Sequence, residues 1–117
     1  MAEVTTTSDN VDLVNRLMDR YNAGDADGYA DLMTEDAAEA NYRGNVLRDG
    51  REGVRVGLRA MFAEFPENKA IVKATHVVGD KVVLFEEVWR SPSAEPFDVV
   101  SIYSFSGDKV DRVEFIR

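Results

Sequence analysis

Val11, Val14, Leu17, Met18 and Tyr21 recur three and four residues apart, the spacing of one helix face. Ser8 stands where an N-cap belongs, and Asp9 follows in the first turn, where the helix dipole favours a carboxylate. Gly24 ends this helix, since glycine takes the left-handed position after a helix without steric cost. Asp25 then caps a second, short helix carrying Tyr29, Leu32 and Met33. A strand follows over about Ala37–Arg43, and a third helix starts near Gly50. Val54, Leu58, Met61, Phe62 and Phe65 form its apolar stripe, and Pro66 ends it. Gly57 inside that helix costs about 1 kcal/mol relative to alanine, which implies room for a neighbour or a ligand.

The period then changes. "AIVKATHVV", "KVVLFEEVWR", "PFDVVSIYSFS" and "KVDRVEFIR" are rich in β-branched and aromatic residues and read as strands. Gly79-Asp80 and Gly107-Asp108 are turns of the glycine-first hairpin type. Extending the first hairpin without interruption opposes Val77 to Val82, Thr75 to Leu84, Lys73 to Glu86 and Ile71 to Val88 on one face. His76, Ala74, Val72, Val83, Phe85, Glu87 and Trp89 then share the other. The same extension from Gly107-Asp108 opposes Ser101 to Glu114 and Tyr103 to Arg112, with Val100, Ile102, Val113 and Phe115 behind them. Helices first and antiparallel strands afterwards define an α+β fold, a curved sheet with helices on one face.

Composition narrows what such a fold can do. A chain of 117 residues suits one domain, read here as residues 8–117 behind a loose N-terminal end, residues 1–7. Acidic residues outnumber basic ones by 22 to 14, for a net charge of −8, which argues against binding a phosphate backbone. There is no cysteine and one histidine, so thiolate and multi-histidine metal sites are excluded. No apolar run is long enough for a membrane span and the start lacks a basic head, so the expected location is the cytoplasm. Asp25, Asp27, Asp31, Glu35 and Asp36 crowd together, yet as a calcium loop the run fails. Starting at Asp25 puts Ala30 where the turn glycine belongs, and placing Gly28 there puts Ala23 at the first ligand. Asp25 serves as a cap, Asp27 as a first-turn charge and Asp31 as a solvated helix residue.

The order of elements, with the corner "NAGDADGYADLMTEDA" and the later "DGREGVR" helix, resembles the nuclear transport factor 2-like superfamily, and within it the SnoaL-like and ketosteroid-isomerase-like proteins. The resemblance covers about Ser8–Arg117. It implies a cone-shaped, curved, mixed or antiparallel sheet with three helices packed on its concave face, a cystatin-like roll. It also implies an apolar pocket at the mouth and frequent dimers. Such isomerases carry a tyrosine on the first helix where this chain has Leu17, a general base where it has Asn41, and a second acid where it has Ser101. The resemblance therefore implies the fold without the isomerase catalytic set. It also puts Ser101 and Val113 on one face, which the uninterrupted hairpin forbids unless a bulge intervenes.

The matching turns Leu84, Glu86, Val88 and Arg90 toward the pocket. Glu86 between Leu84 and Val88 would have its pKa raised by desolvation and could act as a general acid or base, or it could form an ordinary ion pair with Lys73. His76 has a suitable pKa for the same task but falls on the outer face in the hairpin count. Tyr21 could donate to a ligand carbonyl or be a core tyrosine. Asn41 could hold a ligand oxygen, and Glu39 on the same face could pair with Glu86. Leu17, Leu58, Met61, Phe62, Leu84, Val88, Ser101 and Tyr103 complete the candidate lining.

Phe85 and Trp89, exposed together on the outer face, call for a partner, best a second copy of the chain. Three functions fit: a cofactor-free acid-base enzyme of isomerase, cyclase or dehydratase type acting on a small hydrophobic molecule; a dimeric protein that binds such a molecule without chemistry; and an interaction module whose pocket is filled by its own side chains. A pocket above about 300 Å³ with Glu86 on its wall would favour the first two.

Overall fold

The computed structural model describes the backbone of residues 7–117 and the side chains from residue 9 onward. Residues 1–6 of the expected loose end lie outside the described residues, while Thr7 is helical and Ser8, the expected N-cap, lies within the helix. The elements are α1 (Thr7–Asn22), α2 (Ala26–Asp31), β1 (Met33–Asn41), β2 (Val46–Asp49), α3 (Gly50–Glu64), β3 (Lys69–Val78), β4 (Lys81–Trp89), β5 (Phe97–Ser106) and β6 (Lys109–Ile116). The strands form one open sheet in the order β2-β1-β6-β5-β4-β3. Only β1 and β6 run parallel; the other neighbours are antiparallel. All three helices lie against this sheet or one another, giving the α+β roll.

The helix stripes do what their spacing requires. Val14, Leu17, Val54 and Leu58 are essentially without solvent exposure and meet Leu84, Val110 and Val113 from the sheet. Each such side chain contributes roughly 1.5–3 kcal/mol by leaving water. Two amide contacts anchor the end of α1: Asn22 Nδ2 donates to the Ala70 carbonyl at 2.9 Å, and the Ala70 amide donates to Asn22 Oδ1 at 2.8 Å.

At the acidic corner, Asp25 Oδ1 accepts the Gly28 amide at 2.8 Å and caps α2. A Cβ on Gly28 would sit 2.3 Å from Asp25 Oδ2, so a side chain there would displace the cap. Asp27 and Asp31 are more than solvated charges. Arg55 of α3 reaches Asp27 at 3.1 Å and Asp31 at 3.2 Å, clamping α2 to α3, and Arg59 adds to Asp27. Those two guanidiniums hold the Asp27 carboxyl below its ordinary value. Among the described residues no cluster of acidic or histidine side chains converges as a metal site.

The structure departs from the sequence reading in three places. First, β1 begins at Met33, earlier than expected, and Met33 belongs to the strand rather than to α2. Second, β2 was not foreseen; its four residues are largely exposed and carry no alternation to signal a strand. Third, both long hairpins contain a bulge. Pairing from Gly79-Asp80 holds as far as Ala74↔Phe85, then shifts so that Val72, not Lys73, opposes Glu86 and Ala70, not Ile71, opposes Val88. The expected Lys73–Glu86 ion pair is therefore not made. In the last hairpin an extra residue, Asp111, shifts the pairing to Ser101↔Phe115 and Tyr103↔Val113, overturning Ser101↔Glu114 and Tyr103↔Arg112. Thr34 Oγ1 donates to Asp111 Oδ1 at 2.9 Å and ties the bulge to β1. One extra residue turns every later β6 side chain to the opposite face, so Val113 comes to face inward on the same side as Ser101 and Tyr103.

Removing the α2 cap with Asp25→Ala should lower stability by about 1 kcal/mol, seen as a lower urea midpoint with unchanged slope. An unchanged midpoint would show that the Arg55 clamp alone holds the corner.

Candidate functional site

A cavity of about 230 Å³ opens between the inner sheet face and the helices. Met18 and Tyr21 of α1, Leu58 and Met61 of α3, and Val88 and Val99 of the sheet supply much of its apolar wall. Its polar groups fall into two sets, one around each of two buried glutamates.

Glu39, only 1% exposed, belongs to the first set. Arg48 Nη1 donates to Glu39 Oε1 at 2.6 Å, and the Tyr29 hydroxyl donates to Oε2 at 2.7 Å. Burial and the Glu39 charge push the Tyr29 phenol well above its ordinary pKa, which keeps it a donor. Arg48 comes from β2 and crosses α3 at Gly57. A Cβ at Gly57 would lie 2.5 Å from Arg48 Nε and 2.7 Å from its Cδ. The room left by Gly57 is therefore taken by a neighbouring side chain.

Among the described residues no cation pairs with Glu86; the Ser101 hydroxyl donates to its Oε2 at 2.5 Å. Desolvation, partly offset by Ser101 and reinforced by the Glu39 charge, pushes the Glu86 carboxyl up to about 7. Tyr103, 2% exposed, lines the cavity beside it, and its hydroxyl meets the weak acceptor Met18 Sδ at 3.6 Å and the Ser101 hydroxyl. Burial, then the Glu86 charge, raise that phenol well above its ordinary value.

A third group closes the end near the α3–β3 loop. The Asn68 Nδ2 amide donates to the Tyr21 hydroxyl at 2.9 Å, and Arg90 Nη1 donates to Asn68 Oδ1 at 2.8 Å. Burial raises the Tyr21 pKa, while Asn68 and Arg90 hold part of that rise back. Phe65 and Phe97 flank the Arg90 guanidinium, with centroids 5.5 and 5.1 Å away.

Of the candidates read from sequence, Tyr21, Leu58, Met61, Glu86, Val88 and Tyr103 line this cavity, and Ser101 lies behind Glu86. Leu17 and Leu84 are core residues beneath the wall, and Phe62 packs edge-on against Tyr21 with centroids 5.5 Å apart. Asn41 lines a separate shallow hollow with Tyr42, Phe115, Ile116 and Arg117. His76 is exposed on β3 opposite Val83, away from the cavity, so it has no place among the catalytic candidates. Tyr29, Arg48, Asn68, Phe97 and Arg117 were not foreseen as site residues. Only Gly57 hinted at a bulky neighbour.

The SnoaL-like domain family matches residues 14–113, and the chain belongs to it. A solved uncharacterised cystatin-fold protein from Novosphingobium aromaticivorans is 51% identical, covers 92% of this chain and 97% of its own, and superposes with a TM-score of 0.88. A putative SnoaL-like polyketide cyclase from a Jannaschia species is 21% identical over 99% of this chain and 90% of its own, TM-score 0.75. A protein of ketosteroid-isomerase-like fold from Catenulispora acidiphila, solved with trimethylamine, is 13% identical over 90% of this chain and 84% of its own, TM-score 0.73. The last two share the fold alone. No curated protein matches the chain at a significant level. No described helix is long and apolar enough to cross a membrane.

Truncating Arg48 should leave Glu39 as a buried charge with one neutral partner. We expect Arg48→Met to cost on the order of 3 kcal/mol near neutral pH, and much less in a Glu39→Gln background. Additive losses in this double-mutant cycle would mean that the pair is not coupled in solution.

Proposed function

We propose that this SnoaL-like protein binds a small, mostly apolar molecule in the cavity between sheet and helices, and that Glu86 exchanges a proton with it. Glu86 carries the reading. It is a buried carboxyl on an apolar wall, without a cation, poised to hold or release a proton near neutral pH. Glu39 is paired with Arg48, whereas Glu86 has no such partner among the described residues and is the proposed proton carrier. The reactions in reach are proton transfers of isomerase, cyclase or dehydratase type, with Tyr103 and Tyr21 as neutral donors. At about 230 Å³ the cavity falls short of the roughly 300 Å³ expected of a ligand site, so the reading rests on Glu86 and not on cavity size, and any ligand must be small.

The proton on Glu86 gives a stability test that needs no substrate. A carboxyl raised from 4.5 to about 7 is favoured in its protonated form by folding. That contribution is fully present below 4.5 and lost as pH rises through about 7. Between those limits wild type should lose on the order of 3 kcal/mol relative to Glu86→Gln. Parallel urea midpoints for the two proteins across this range would remove Glu86 as the titrating group. Native mass spectrometry of the purified protein tests the ligand itself: a co-purifying small molecule should survive in wild type and be displaced by a bulky Val88→Trp wall.

A second reading concerns assembly. Ala74, Phe85, Val100 and Ile116 form one cross-strand row on the outer sheet face, and Phe85 and Ile116 are 41% and 45% exposed. The half-buried Trp89, whose indole donates to Glu87, extends this face. We infer that a second copy covers it about a two-fold axis, since the same row meets itself in such a pairing. As a non-catalytic dimeric module the chain would need only this surface. Phe85→Lys should convert a dimer to a monomer in light scattering; a wild-type monomer at high protein concentration refutes the dimer.

A further inference from the structure

The Arg90 end of the cavity carries a charge that its surroundings do not balance. Arg90 is half-buried, yet among the described residues no carboxylate lies within ion-pair distance of it. Its polar contacts are the neutral Asn68 Oδ1 and the Met61 thioether at 3.5 Å, both through Nη1, and the Tyr21 hydroxyl. Phe65 and Phe97 hold the planar group in place, which fixes its donors before any ligand arrives.

Asn68 sets the neighbouring donor by elimination. Arginine offers only N–H groups, so the Asn68 oxygen must face Arg90 and its NH₂ must face Tyr21. The Tyr21 oxygen is then an acceptor from Asn68, and its own hydrogen is left for the cavity that Tyr21 lines. Arg90 and Tyr21 thus stand side by side at one end, and among the described residues the Arg90 charge has only neutral acceptors.

The charge balance of the cavity points the same way. Arg48 is matched by Glu39, while Arg90 and Arg117 on the lining have no acidic partner, and Arg117 stacks over Phe115 at 5.8 Å. A protein with a net charge of −8 would gain stability and solubility little from unmatched cations on a partly dry wall. A ligand anion would match them.

We propose that the ligand of this cavity is a small organic carboxylate, its charged group gripped by Arg90 with Tyr21 as second donor and its apolar body along Met61, Val88 and Val99 toward Glu86. This rests on the pocket reading given above and specifies its ligand. Glu86 lies on β4 and Arg90 just past its end, four residues on and about 13 Å along the chain direction, so the anchored end and the proton-exchanging end of the ligand are different parts of it.

The test compares benzoate with benzamide, and cyclohexanecarboxylate with its amide, as matched charged and neutral probes. Binding is followed by backbone amide shifts of Val88 and Val99 at about pH 6, where the acids are ionised. Wild type should bind each carboxylate at least about tenfold more tightly than its amide, the discrimination expected of charge-assisted hydrogen bonds. Arg90→Gln should abolish the preference, and Arg90→Lys, a point charge without the fork, should keep only part of it. Should Arg90→Gln fail to fold, Arg90→Lys and the wild-type comparison still decide. A purely structural Arg90 would change stability and leave the carboxylate-to-amide ratio untouched. Equal binding of acid and amide in wild type, or a preference that survives in Arg90→Gln, overturns the carboxylate while leaving a ligand pocket in place. Binding of neither member of either pair overturns both.

Discussion

A carboxylate with almost no contact with water must have a cation brought to it, and much of the architecture around Glu39 follows from that demand. The cation, Arg48, sits on a separate short strand, so β2 must pair with β1 to deliver it. Its side chain then crosses α3, and the helix can lie close only because position 57 is glycine. On the other oxygen, Tyr29 fixes the place of α2. One buried charge thereby couples two strands and two helices that otherwise share mainly apolar contacts. A buried pair of this kind need not be more stable than an apolar replacement, but losing half of it is costly, and it tolerates few alternative arrangements.

The two inward glutamates show how environment divides labour between like groups. Glu39 has a guanidinium and a phenol; Glu86 has a serine hydroxyl and an apolar wall. The charge of the first helps the second to keep a proton. Sequence places neither in the positions where a ketosteroid isomerase would hold its acids. Asn41 lies at a separate hollow, Ser101 serves Glu86 as a donor, and Tyr21 reaches the wall one turn beyond Leu17. The fold is shared, and the polar site within it is arranged differently.

Periodicity made the three helices readable, and β-branched and aromatic composition did the same for the four long strands, of which β3 is largely exposed and does not alternate. β2 was not readable, since its largely exposed residues pack against nothing that would impose a pattern. Arg48 was missed for the same reason, although Gly57 pointed to a bulky neighbour. Glu86, Tyr21 and the wall residues Met61 and Val88 could be found from strand faces and helix stripes. Asn68 and Phe97 could not, because their roles arise from a loop and a neighbouring strand converging on Arg90. The bulges are invisible to alternation, which looks equally good in either register. The conflict over Ser101 and Val113 was the one trace that the last hairpin left in the sequence, and Asp111 resolves it.

That extra residue has a wider meaning for how such a cavity can change. Between Ser104 and Phe105 the pairing skips one position on β6, and every cavity-facing side chain farther along the pair depends on that skip. Without that skip the same chain would set Arg112 and Glu114, rather than Val113 and Phe115, beside Tyr103 and Ser101, without altering any of those amino acids. The chemistry presented to a ligand is thus written in chain length as well as in residue identity. Comparing this domain with others by aligned letters alone can pair residues that look in opposite directions.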